Sequence, residues 1–159
     1  MKARSVSLLY FEQTFLRPIF LLLFFIMALT GFGQMPIFKR YYLADVPGLG
    51  WLAQFYVTHA IHYIGAALFL LLVVYCAAMY LGALRVRFKL TSSAYVKIAL
   101  LAAIVGTGFF RVFKNFPDVV FSPGFTMFID ISHLVFVMAF IVVGIITIFT
   151  KSPWLREVN

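Results

Sequence analysis

Four long apolar runs, at approximately 16–35, 54–83, 94–113 and 128–150, take up most of this chain. A hydrocarbon core of roughly 30 Å is crossed by about 20 helical residues, so each run is long enough to span a bilayer. With 64% hydrophobic and 11% charged residues among 159, and a mean hydropathy of +1.04, the chain is too apolar for water to be its main solvent. The expected fold is all-α, an integral membrane four-helix bundle. Connections are short, and no Gly/Ser linker, charge run or internal repeat divides the sequence, so 1–159 reads as one domain. The first run follows a charged stretch with Glu12 and Arg17, and no small-residue cleavage site comes after it. It is therefore expected to remain as a helix rather than be removed as a signal peptide.

Charge placement sets the orientation. Lys2, Arg4, Arg85, Arg87, Lys89, Lys97, Lys151 and Arg156 fall on one side of the runs, and Lys39, Arg40, Arg111 and Lys114 on the other. The asymmetry predicts both termini in the cytoplasm. The net charge of +8 is then mostly topological, and the basic residues are too dispersed for nucleic-acid binding. Arg85, Arg87 and Lys89 are expected among lipid headgroups. The single Cys76 lies mid-run and reads as a small packing residue.

The only three histidines lie near the starts of two runs: His59 and His62 in the second, His133 in the fourth. An imidazole in hydrocarbon needs a partner, a polar cavity or a metal. Two helices that each offer one imidazole can ligate a haem iron from both faces. In the expected topology helices 2 and 4 both run inward, with His62 about 12 Å and His133 about 8 Å from their starts. His59 and His62 share a helix face, so one is the ligand and the other a neighbour. His62 is preferred because it lies deeper and is followed by the small residues Gly65, Ala66 and Ala67, which leave room for a porphyrin edge. His59 remains the alternative, or a hydrogen-bond donor to a propionate or a quinone. The competing reading makes all three histidines helix-to-helix glue.

Propionates need cations, and the outer side offers Lys39, Arg40, Arg111 and Lys114 with Tyr41 and Tyr42. Arg111 is the foremost candidate; headgroup anchoring competes for Lys39 and Lys114. Asp130 stands one turn before His133. It reads either as an interfacial cap at the start of helix 4, the preferred view, or as a proton relay to a quinone. Pro117, Ser122, Pro123 and Gly124 mark one outer turn and the PGLG segment at 47–50 the other, both facing an extrinsic partner.

The succession YFEQTFLRPIFLLLFFIMALTGF, VTHAIHYIGAALFL, GTGFFRVFKNFPD and DISHLVFVMAF resembles the small cytochrome b subunits of respiratory formate dehydrogenases, nickel-iron hydrogenases and thiosulfate-reductase-like complexes. The resemblance covers nearly the whole chain. It implies a four-helix membrane anchor that carries electrons between a non-cytoplasmic iron–sulfur or cytochrome subunit and the quinone pool, menaquinone or ubiquinone, of a bacterial or archaeal inner (cytoplasmic) membrane. By that resemblance an outer haem b is held by His62 (or His59) and His133. The second, cytoplasmic-side haem of the family has no ligands here: Leu16 stands at the helix 1 position and Thr147 near the later helix 4 position. A one-haem, bis-His variant is expected, and any quinone would lie near His59, Tyr63 or Asp130.

No nucleophile or paired carboxylates appear, so the chain reads as an electron-transfer subunit rather than a catalyst on its own. The alternative is a haem-free structural anchor of such a complex. A transporter or channel is disfavoured, since broken helices, inverted repeats and carboxylate rings are missing.

Overall fold

The computed structural model describes residues 15–35 and 45–158, and these form four helices with two short strands. Helix α1 (Arg17–Gly33) carries Pro18 in its first turn, where a missing N–H costs nothing. Its 17 residues extend about 25 Å, short of a hydrocarbon core. A 3₁₀ turn (Gly50–Ala53) leads into α2 (Phe55–Met79), which a π turn continues through Leu84. Helix α3 (Ser92–Phe113) starts at an N-cap Thr91, whose hydroxyl accepts from the Ala94 N–H. Helix α4 (Pro123–Phe149) is capped by Ser122, accepting from the Phe125 N–H, with Pro123 at the first helical position.

Three helices, Phe55–Leu84, Ser92–Phe113 and Pro123–Phe149, are long and apolar enough to cross a membrane. Their apolar side chains point largely outward: Leu71, Ile148 and Phe149 are among many exposed large hydrophobics. An exposed apolar surface of that extent suits contact with lipid or with other apolar helices.

The fourth helix begins five residues earlier than the sequence reading placed it. Pro123 and Gly124 belong to its first turn rather than to the preceding loop, because Ser122 followed by Pro is a strong start signal. A larger departure from an all-α fold is a two-stranded antiparallel ladder, β1 (Phe88–Leu90) with β2 (Leu155–Glu157), pairing Phe88 with Glu157 and Leu90 with Leu155. Arg87, just before β1, forms an ion pair with Glu157 at 3.0 Å, and Lys89 stands opposite Arg156 in the ladder with its side chain exposed.

The chain divides into two compact units, 1–84 and 85–159. In the first, α1 and α2 form an antiparallel hairpin. Phe20 and Phe24 near the start of α1 pack on Phe69, Met27 meets Gly65, and Gly33 meets Leu52 of the 3₁₀ turn. Leu52 is fully buried, and the turn that delivers it uses Gly48 at φ +86°, a conformation that glycine adopts without strain.

The second unit pairs α3 with α4 and is closed at both ends. At one end Phe125 meets Phe110 and Phe121 edge-to-face, and those two rings are tilted against each other. At the other, Ser93 and Ser152 share a hydrogen bond of 2.7 Å, and the Thr91 hydroxyl donates to the Pro153 carbonyl at 2.7 Å. Lys97, buried, lies over the Trp154 ring at 4.1 Å, a cation–π contact.

Candidate functional site

The site residues expected from sequence fall into two groups, one in each unit. His59, His62, Tyr63, Gly65 and Ala66 lie on α2 in the first; Arg111, Asp130 and His133 lie on α3 and α4 in the second. Lys39, Arg40, Tyr41 and Tyr42 lie outside the described residues.

In the first hairpin His62 is half-buried against the end of α1. Its Nδ1 lies 3.0 Å from the hydroxyl oxygen of Thr30, a residue with no exposed surface. The next residue, Gly31, brings bare backbone to the ring: a Cβ there would lie 3.3 Å from the His62 Cε1. His59, one turn earlier, is held differently. Its Nδ1 lies 3.2 Å from the Gln34 amide oxygen, while the Gln34 amide nitrogen donates to the Thr30 carbonyl at 3.2 Å. The His59 ring stacks on Phe55 at 5.1 Å and tilts against Tyr63 at 4.2 Å, so it is part of an aromatic column along α2.

Gly65 is buried, and the space its missing side chain leaves is filled by Met27: a Cβ would lie 2.8 Å from the thioether sulfur. Within this hairpin Gly65 serves the close approach of α1 and α2. Ala66 is half-buried beside it.

In the second hairpin His133 occupies the same setting. Its Nδ1 lies 2.9 Å from the Thr107 hydroxyl oxygen, and a Cβ at the following Gly108 would lie 3.6 Å from the His133 Cε1. The sequence reading found no internal repeat, yet Thr-Gly-Phe stands at 30–32 and again at 107–109. Each copy is in the second half of an apolar helix and faces a histidine near the start of the next. Three residues are too short a string to register as a repeat; only the pairing with histidine makes it one.

Asp130 is not a helix cap. Ser122 fills that role, and Asp130 lies two turns inside α4, where it takes up both nearby cations. Arg111 Nε is 3.0 Å from Oδ1, and Lys114 Nζ is 2.7 Å from Oδ2. Two cations share one carboxylate, so the cluster keeps one positive charge.

Among the described residues no group of three or more His, Cys, Asp or Glu side chains stands together to hold a metal ion. A porphyrin brings its own equatorial nitrogens and asks the protein only for axial donors. An imidazole with a hydrogen-bonded Nδ1 is the donor type such a group takes, each unit holds one, and the surplus charge at Arg111 and Lys114 suits a propionate. The residues present fit the group. No family model, no curated protein and no solved structure matches the chain.

Proposed function

We propose that this chain is a haem b-carrying membrane anchor and electron-transfer subunit of a multi-subunit respiratory redox complex, with His62 and His133 as the axial ligands. The observation that carries the reading is the recurrence: each hairpin sets one imidazole against a Thr-Gly pair, with Nδ1 engaged by the hydroxyl. A hydrogen-bonded Nδ1 is what orients a metal-ligating imidazole, and His62 and His133 share it. The same recurrence favours His62 over His59, whose partners are an amide and two aromatic rings.

When bound, the haem supplies reversible one-electron exchange. Thr30 and Thr107 orient the imidazoles, and the aromatic and aliphatic side chains of the helices keep water away. Arg111 and Lys114, together one charge in excess of Asp130, neutralise a propionate. Four helices in one bundle with both termini cytoplasmic, a bacterial or archaeal cytoplasmic membrane, an extrinsic iron–sulfur or cytochrome partner, and a quinone near His59, Tyr63 or Asp130 complete the proposal, which draws on the resemblance to the cytochrome b subunits.

A reduced-minus-oxidised spectrum with pyridine haemochrome quantitation on the purified chain tests it. About one haem b per chain is expected, lost in His62→Ala and His133→Ala and kept in His59→Ala. Well-folded protein without haem would leave a structural anchor instead, and loss in His59→Ala with retention in His62→Ala would exchange the two roles.

A further inference from the structure

We infer that Thr30 and Thr107 are positioning residues that fix His62 and His133 as the Nδ1–H tautomer and so leave Nε2 as the metal-binding nitrogen; the inference rests on the haem reading above. A threonine hydroxyl has a single proton and can accept as well as donate. In α1 the Thr30 oxygen lies 2.7 Å from the Ile26 carbonyl oxygen and 3.3 Å from that of Met27. Carbonyls only accept, so the hydroxyl donates there. With its proton engaged, the Thr30 oxygen meets the His62 Nδ1 at 3.0 Å as an acceptor, and Nδ1 is the nitrogen that carries hydrogen. The reverse assignment would set two acceptors against each other at 2.7 Å.

The second hairpin repeats the proton count. The Thr107 hydroxyl oxygen lies 2.8 Å from the Ala103 carbonyl and 3.1 Å from that of Ile104, so it donates to the helix and accepts from the His133 Nδ1–H at 2.9 Å. In a neutral imidazole that hydrogen is the only one, and the lone pair that binds a metal is on Nε2.

Gly31 and Gly108 complete the cradle. Their bare Cα positions let the Nδ1–Cε1 edge of each ring lie flush with the neighbouring helix, and the next atom around the ring is Nε2. An Nδ1–H held by a firm acceptor also makes the ligand more basic, which favours the oxidised iron.

The test uses the full chain in detergent micelles, as wild type, Thr30→Val, Thr107→Val and the corresponding Thr→Ser variants. Ring-nitrogen chemical shifts of histidine-labelled protein report the tautomer whether or not haem is present. The Nδ1–H form is expected at both histidines in wild type and in the Ser variants, and a mixture of tautomers at the affected histidine in each Val variant. In haem-loaded protein, each Val variant is expected to lose about 10–100-fold in haem affinity. Its midpoint potential should rise by about 59 mV for every tenfold loss confined to the oxidised form, and Ser should restore both values. An Nε2–H tautomer in wild type, or Val variants that keep the wild-type tautomer, affinity and potential, would overturn the inference. The expected tautomers in a protein that takes up no haem would overturn the haem reading alone and support the proton assignment.

Discussion

In the first hairpin glycines set how closely the helices approach, whereas in the second charged and hydroxyl side chains tie the ends. Gly65 admits the Met27 thioether and Gly33 admits Leu52, so α1 and α2 are held by shape. Helices α3 and α4 are joined by Asp130 with Arg111 and Lys114 at one end, and by Ser93, Ser152 and the β1–β2 ladder at the other. Despite these different means, both hairpins place a histidine against a Thr-Gly pair. The imidazole setting is therefore local, built from two residues on one helix and one on the next, and does not depend on how the rest of each hairpin is packed.

Removing the wedge of the first hairpin is the largest perturbation. Leu52 is fully enclosed, with its backbone oxygen 3.1 Å from where a Gly33 side chain would begin. Leu52→Ala is expected to cost about 2–5 kcal/mol, the transfer and cavity terms of a buried leucine, read as a lowered denaturation midpoint in micelles. Truncation of the exposed Val46 in the same loop should cost far less. Equal losses from the two would mean that shape does not hold this hairpin, and the contrast with the second would fail.

The charged cluster of the second hairpin responds to a different variable. Asp130→Asn leaves Arg111 and Lys114 facing an amide. The Asp130 side chain is 38% exposed and that of Lys114 21%, between a surface pair and a buried one, so a loss of about 1–2 kcal/mol is expected. Added salt screens exposed charges, so the difference between wild type and Asp130→Asn should shrink as salt rises, while that for Leu52→Ala should not. A salt-independent loss at Asp130 would show that hydrogen-bond geometry, and not charge, joins α3 to α4.

The apolar runs were legible because length and hydropathy report directly on bilayer-scale helices; the centres of α2, α3 and α4 coincide with the runs that predicted them. The ends were less legible. Ser122-Pro123 is a helix start, yet the eye reads Pro and Gly as loop, and the first turn of α4 was missed. The β1–β2 ladder could not be seen, since Phe88–Leu90 and Leu155–Glu157 are three residues each and far apart in sequence. His59, His62 and His133 stood out by rarity. Thr30 and Thr107 did not, because threonine is common in apolar helices and its importance here comes from a partner 32 or 26 residues away. Asp130 was expected to cap α4, a role that Ser122 fills, and its ion pairs with Arg111 and Lys114 come from the register of α3 against α4, which no local pattern shows.

The smallest effect separates the two cradles. Gly31→Ala and Gly108→Ala both place a better helix former inside a helix, worth about 0.5–1 kcal/mol. At Gly108 the new methyl would lie 3.6 Å from the His133 Cε1, an ordinary contact, so the gain is kept and stability rises slightly. At Gly31 the distance is 3.3 Å, and the His62 ring has to give way. It is tied at Nδ1 to Thr30, whose own proton is engaged by the Ile26 carbonyl, so moving the ring lengthens that bond and offsets the gain. A difference in stability of up to about 1 kcal/mol between the two variants is expected, with His62 ring signals displaced in Gly31→Ala and His133 signals unchanged in Gly108→Ala. Identical behaviour would mean that the His62 ring swings freely, and a ring that swings freely is not one that Thr30 holds.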